Sequence, residues 1–117
     1  MAIWRDIRGT TPSYTVLFRD SNRKIIAPTS YALIEIYIYN MATGTEIVKY
    51  TTESPTPEGF QSLTPGSERI DFTIPEALSL IAESGDTRIE VWTEDQNGII
   101  EADTEIFNEF IDAQNAL

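Results

Sequence analysis

The stretch Tyr31-Ala-Leu-Ile-Glu-Ile-Tyr-Ile-Tyr-Asn40 leaves this chain few folds to choose from. β-Branched and aromatic residues dominate it, Glu35 is its only charge, and its pattern has a period of two, so it reads as a strand. Ile34, Ile36 and Ile38 then share the face that seeks a core. Leu33, Glu35, Tyr37 and Tyr39 share the other, which looks outward or across a sheet edge. A strand with one apolar face needs a second layer to cover that face, and the rest of the chain supplies the material for it.

Ser13–Asp20 reads as a strand with Tyr14, Val16 and Phe18 on one face, between the turn-prone Gly9–Pro12 and the polar loop Asp20–Lys24. Lys24–Ala27 is a short strand stopped by Pro28, which marks an edge or a crossover. Glu46–Thr52 alternates well enough to form a hairpin with the Tyr31 strand. Arg69–Ile74 follows, with Ile70, Phe72 and Ile74 aligned. Pro75–Ser84 then reads as one short helix, with Pro at a first helical position and Gly85 as its stop. In the last hairpin, Arg88–Thr93 and Ile99–Ala102 flank Asp95-Gln-Asn-Gly98, a sequence suited to a primed turn. Residues 104–111 read as a strand running into a loose tail near Ala113, with a helix gathering Ile106, Phe107, Phe110 and Ile111 as the alternative. These segments predict a single all-β domain over residues 1–117: an antiparallel β-sandwich of about seven strands with one short helix or helical turn.

Residues 53–68 hold three of the six prolines and two of the six glycines, and read as a long loop. A loop of this length and composition buries little of itself, so it is expected to be ordered by a contact. Phe60 and Leu63, its two large apolar residues, are the candidate anchors, either on a partner subunit or capping an open end of the chain's own sandwich. Residues 1–8 form an N-terminal arm. Trp4 in that arm needs cover, from this chain or from a neighbouring subunit, and Arg5 and Arg8 accompany it as candidate partner-binding residues.

Charge separates the two parts of the chain. Within residues 1–24, five bases oppose two acids for a local charge of +3, while the remainder carries three bases against seventeen acids, a charge of -14. So acidic a body repels phosphate backbones and anionic headgroups, and neither nucleic acid nor a membrane is an expected partner. No apolar run is long enough to span a bilayer, and Met-Ala-Ile-Trp-Arg lacks the pattern of a signal peptide, so the chain is expected to stay where it is made.

The chain has no cysteine and no histidine. This removes thiolate nucleophiles, the usual general base and the commonest metal ligands, and no enzymatic activity, cofactor or metal is expected. A calcium-loop reading of Asp95–Gly98 fails, because its frame places Thr93 and Thr104 where acidic ligands are required. Two minor functional readings remain. One is an acidic inhibitor that mimics nucleic acid; the other is a carbohydrate-binding module using Trp92, Tyr37 or Tyr39, which requires those rings to converge.

At Asp6-Ile-Arg-Gly-Thr-Thr-Pro-Ser13 followed by a strand, the chain resembles small proteins of tailed bacteriophages in which an Ile-Arg-Gly-Thr-Thr-Pro segment opens an immunoglobulin-like sandwich. It also resembles the N-terminal module of upper-baseplate proteins, with Ile74-Pro-Glu-Ala-Leu78 and Val91-Trp-Thr-Glu-Asp-Gln-Asn-Gly98 in the corresponding order. The resemblance implies an immunoglobulin-like fold and a non-enzymatic structural or adaptor protein, made in the bacterial cytoplasm and incorporated into the virion. Its partners would be other virion proteins of the tail, baseplate, neck or capsid, met in a symmetric multi-copy assembly.

Overall fold

The computed structural model describes the backbone over residues 5–81 and 85–111, and side chains over residues 8–80 and 85–103. The fold is predominantly β. In chain order its strands are β1 (Arg5–Ile7), β2 (Ser13–Val16), β3 (Phe18–Arg19), β4 (Ile25–Ile26), β5 (Leu33–Asn40), β6 (Glu46–Thr51), β7 (Gln61–Ser62), β8 (Ile70–Thr73), β9 (Gly85–Glu94) and β10 (Ile100–Ile111). A 3-10 turn at Pro28–Ser30 carries the chain from β4 towards β5, and helix α1 (Glu76–Ile81) lies between β8 and β9. The main sheet has the order β1-β10-β9-β5-β6-β7, and two ribbons, β2-β8 and β3-β4, stand apart from it.

The parity of the Tyr31 segment decides the inner layer. Ile34, Ile36 and Ile38 on central β5 are all 1% exposed or less, and they meet Ile70 and Phe72 of β8 with Ile74 just beyond it. The ring of Phe72 packs between Tyr50 at 4.9 Å and Tyr14 at 5.6 Å, which ties ribbon β2-β8 to the sheet. Phe18 meets Tyr31 at 5.2 Å and brings in β3-β4. The Tyr50 hydroxyl reaches across the layers to donate to the Thr73 carbonyl, and its burial pushes the hydroxyl pKa well up. Replacing Tyr50 with Phe keeps the ring contacts but strands that carbonyl, so the unfolding free energy should fall by about 0.5–1.5 kcal/mol in a urea titration.

Two parallel pairings correct the all-antiparallel expectation. β5-β6, β5-β9 and β9-β10 are antiparallel, but β1 runs parallel to β10 (Arg5 opposite Glu109) and β7 runs parallel to β6 (Tyr50 opposite Gln61). Both parallel strands arrive through connections too long to be hairpins, and only such connections permit parallel neighbours. The number of strands also differs, because Ser13–Asp20 breaks at Leu17 into β2 and β3, whose partners lie in separate ribbons.

Residues 104–111 continue β10 as a strand. The 53–68 segment is not structureless, since β7 lies within it and the Leu63 amide donates to the Thr51 carbonyl at 2.9 Å. At the last hairpin Gly98 takes a φ of 82°, and the Asp95 carboxylate accepts from the Asn97 and Ile99 amides. That carboxylate fastens the turn. Residues 5–7 of the arm join the main sheet as β1, whereas the tail from Ala113 lies outside the described residues. Among the described residues, no helix is long and apolar enough to cross a membrane.

Candidate binding face on the main sheet

The outward side chains of β5 are those the inner core excludes by parity, and the register of its neighbours decides what stands beside them. Trp92 of β9 lies opposite Glu35, Glu90 opposite Tyr37, and Arg88 opposite Tyr39. On the other flank Lys49 of β6 lies opposite Tyr37, and Glu46 opposite Tyr39. Cross-strand and diagonal neighbours on one sheet face are close enough to touch. Two neighbouring tyrosines and a tryptophan remote from them in sequence therefore share one surface with three carboxylates.

Glu90 organises this face. Its carboxylate accepts hydrogen bonds from the Tyr39 hydroxyl and from Trp92 Nε1, and Arg88 Nη2 stands 3.8 Å away. The Arg88 guanidinium lies 5.6 Å from the centre of the Tyr39 ring. The Tyr39 bond, then the Trp92 bond, then the Arg88 charge hold the Glu90 carboxyl below its usual range, against an opposing contribution from burial. At Tyr37, burial acts first and the charge and hydrogen bond of Glu35 second, and both push the hydroxyl up.

A pH dependence follows from the lowered Glu90 value. A carboxyl lowered on folding contributes stability above its ordinary pKa, here 4.5, and loses that contribution as the pH falls through the lowered value. Glu90→Gln should therefore be the less stable protein near neutrality, and its deficit should shrink on acidification, as read from urea midpoints between about pH 3 and 7. A deficit independent of pH would show that the Glu90 charge has no part in holding Tyr39 and Trp92.

Of the residues proposed from sequence for partner binding, Phe60 alone among the described side chains reaches this face. Its ring meets Tyr37 edge-on at 6.1 Å, and Lys49 Nζ sits 4.6 Å from its centre. Leu63 points the other way and is 4% exposed within the core of its own chain, as in the alternative to a partner anchor. β7 pairs with β6 between these two residues, and the change of face along the chain sends Phe60 outward and Leu63 inward. The loop is attached to its own chain through β7, which is the alternative the sequence offered to ordering by another subunit.

Arg8 is tied to α1 as well, with Nη2 donating to the Leu80 carbonyl at 2.9 Å. Next to it the Gly9 amide donates to Ser79 Oγ at 3.1 Å, and Gly9 takes a φ of 85°, where a side chain would be strained. The Arg8-Gly9 pair thus docks the start of the chain on the helix. Arg5 is placed in β1 by its backbone, and Trp4 lies outside the described residues.

The sequence reading singled out Tyr37, Tyr39 and Trp92 but missed Glu90 and Lys49. Alternation puts Glu90 on the same face as Trp92, a signal present in Glu90-Val-Trp92, but its position beside Tyr37 and Tyr39 depends on the β5-β9 register. Comparison of the chain with protein families, with curated proteins and with solved structures returns no match.

Proposed function

We propose that this protein is a non-enzymatic structural or adaptor component of a bacteriophage particle, an immunoglobulin-like sandwich that joins other virion proteins in symmetric copies. The observation that carries this reading is the open edge of β10. On that edge β1 pairs only with Glu109–Ile111, and no described strand lies on that side of residues 100–108. An unpaired row of amides and carbonyls is a template for adding a strand from another chain.

The surroundings of the edge support the same reading. Ile99 and Ile100, 57% and 60% exposed, add an apolar pair at the start of that edge. Glu101 and Asp103 stand on the opposite side of the strand, lining a hollow with Arg19 and Tyr31. The exposed Arg23 and Lys24 of the β3-β4 turn offer the complementary charge, so the basic turn of one copy suits the acidic row of the next. A head-to-tail contact of this kind uses two different patches and closes into a ring when its rotation permits. The resemblance at Asp6–Ser13 adds the virion setting. Quantitative mass spectrometry of purified particles tests the assignment: the protein should be present at a fixed multiple per particle, and its absence from particles made by cells that express it would overturn the reading.

A further inference from the structure

We propose that the outward face of β5 and β9 is a binding site for a neutral saccharide, with Trp92 and Tyr37 as its stacking rings. Glu35, Tyr37, Tyr39, Gly44, Glu46, Glu90 and Trp92 line an open trough of about 490 Å³ there. β5 is paired on both sides, with β6 and with β9, so its backbone is committed to the sheet and recognition falls to side chains. A peptide strand cannot add at this place.

The chemistry of those side chains selects the ligand. Trp92 is 39% exposed, and its one donor is committed to Glu90, so what it offers a ligand is its ring. Glu35, Glu46 and Glu90 present carboxyl oxygens as acceptors. A pyranose matches both, since its C–H face lies on an aromatic ring while its hydroxyls donate to carboxylates. Charge narrows the choice further. Lys49 lies over Phe60 and 3.9 Å from Glu46, and Arg88 is paired with Glu90 and Tyr39, so the local bases serve the local acids. An anionic sugar or phosphate would meet three carboxylates and be repelled. A strongly cationic ligand would have to displace Lys49 and Arg88 from their partners. A neutral sugar needs neither.

Native-gel affinity electrophoresis tests the site, with the full chain run through gels containing a neutral β-glucan, a galactomannan or a xylan, and through heparin and polylysine for comparison. At least one neutral polysaccharide should retard the wild type. Trp92→Ala and Tyr37→Ala should each weaken that retardation by about ten-fold or more. Trp92→Tyr should recover part of the loss, and Leu80→Ala, on the exposed face of α1, should leave retardation unchanged. Glu35→Gln provides a variant that keeps the packing and should weaken binding by several-fold. Failure of every neutral polysaccharide to retard the chain would overturn the proposal, as would retardation by heparin or polylysine alone. So would retardation that Trp92→Ala, Tyr37→Ala and Glu35→Gln leave intact.

Discussion

Ile36→Ala should lower the unfolding free energy by about 2–5 kcal/mol, the cost of lost burial plus the cavity left where neighbours cannot collapse. Ile36 is fully buried on the central strand, between Ile34 and Ile38 on the same face and beneath the β2-β8 ribbon. A domain of this size has roughly 5–15 kcal/mol in total, so one side chain would remove a large share of it. In urea the midpoint should fall while the slope is unchanged. Glu35→Ala, one residue away on the opposite face, should cost no more than about 1 kcal/mol. Equal losses at the two positions would mean that β5 does not separate an inner from an outer face.

The second large effect belongs to Leu63. Because it is core, Leu63→Ala should cost about 2–5 kcal/mol in the isolated protein. An anchor reserved for a partner would cost almost nothing there. Hydrogen exchange gives an independent reading, since the Leu63 amide donates to the Thr51 carbonyl and should be protected without any second chain. Exchange at the rate of an open loop, together with a small loss in Leu63→Ala, would restore the view that another subunit orders this segment.

These two residues also mark how far the fold can be read from the chain. The Tyr31 segment declares its faces because its alternation is uninterrupted and only one of its faces is apolar enough for a core. Asp95–Gly98 is equally explicit, since turn chemistry is local. Leu63 is not, because its burial depends on β7 joining β6 across a loop whose composition predicts no strand at all. β1 is hidden for the same reason: its partner lies about a hundred residues away, and no local pattern encodes that pairing. The candidate face was legible as a set of residues and not as a site. Tyr37, Tyr39 and Trp92 each stand out as aromatic residues on strands, but a one-residue slip of β9 would carry Trp92 to the inner side. Convergence is a property of register, and register across 50 residues is set by packing.

In the proposed function, copies of this chain associate through the β10 edge, with the acidic row of one meeting the basic turn of another. Sedimentation velocity of the purified full chain, run over a range of concentrations and salt, tests it directly. The wild type should form a discrete oligomer that dissociates as salt rises, because contacts between exposed charges are screened over about 8–10 Å at physiological ionic strength. Glu101→Lys combined with Asp103→Lys should leave the fold intact and the chain monomeric at low salt. A wild type that stays monomeric at every concentration, or a charge-reversed variant that associates as the wild type does, would rule out association through this edge.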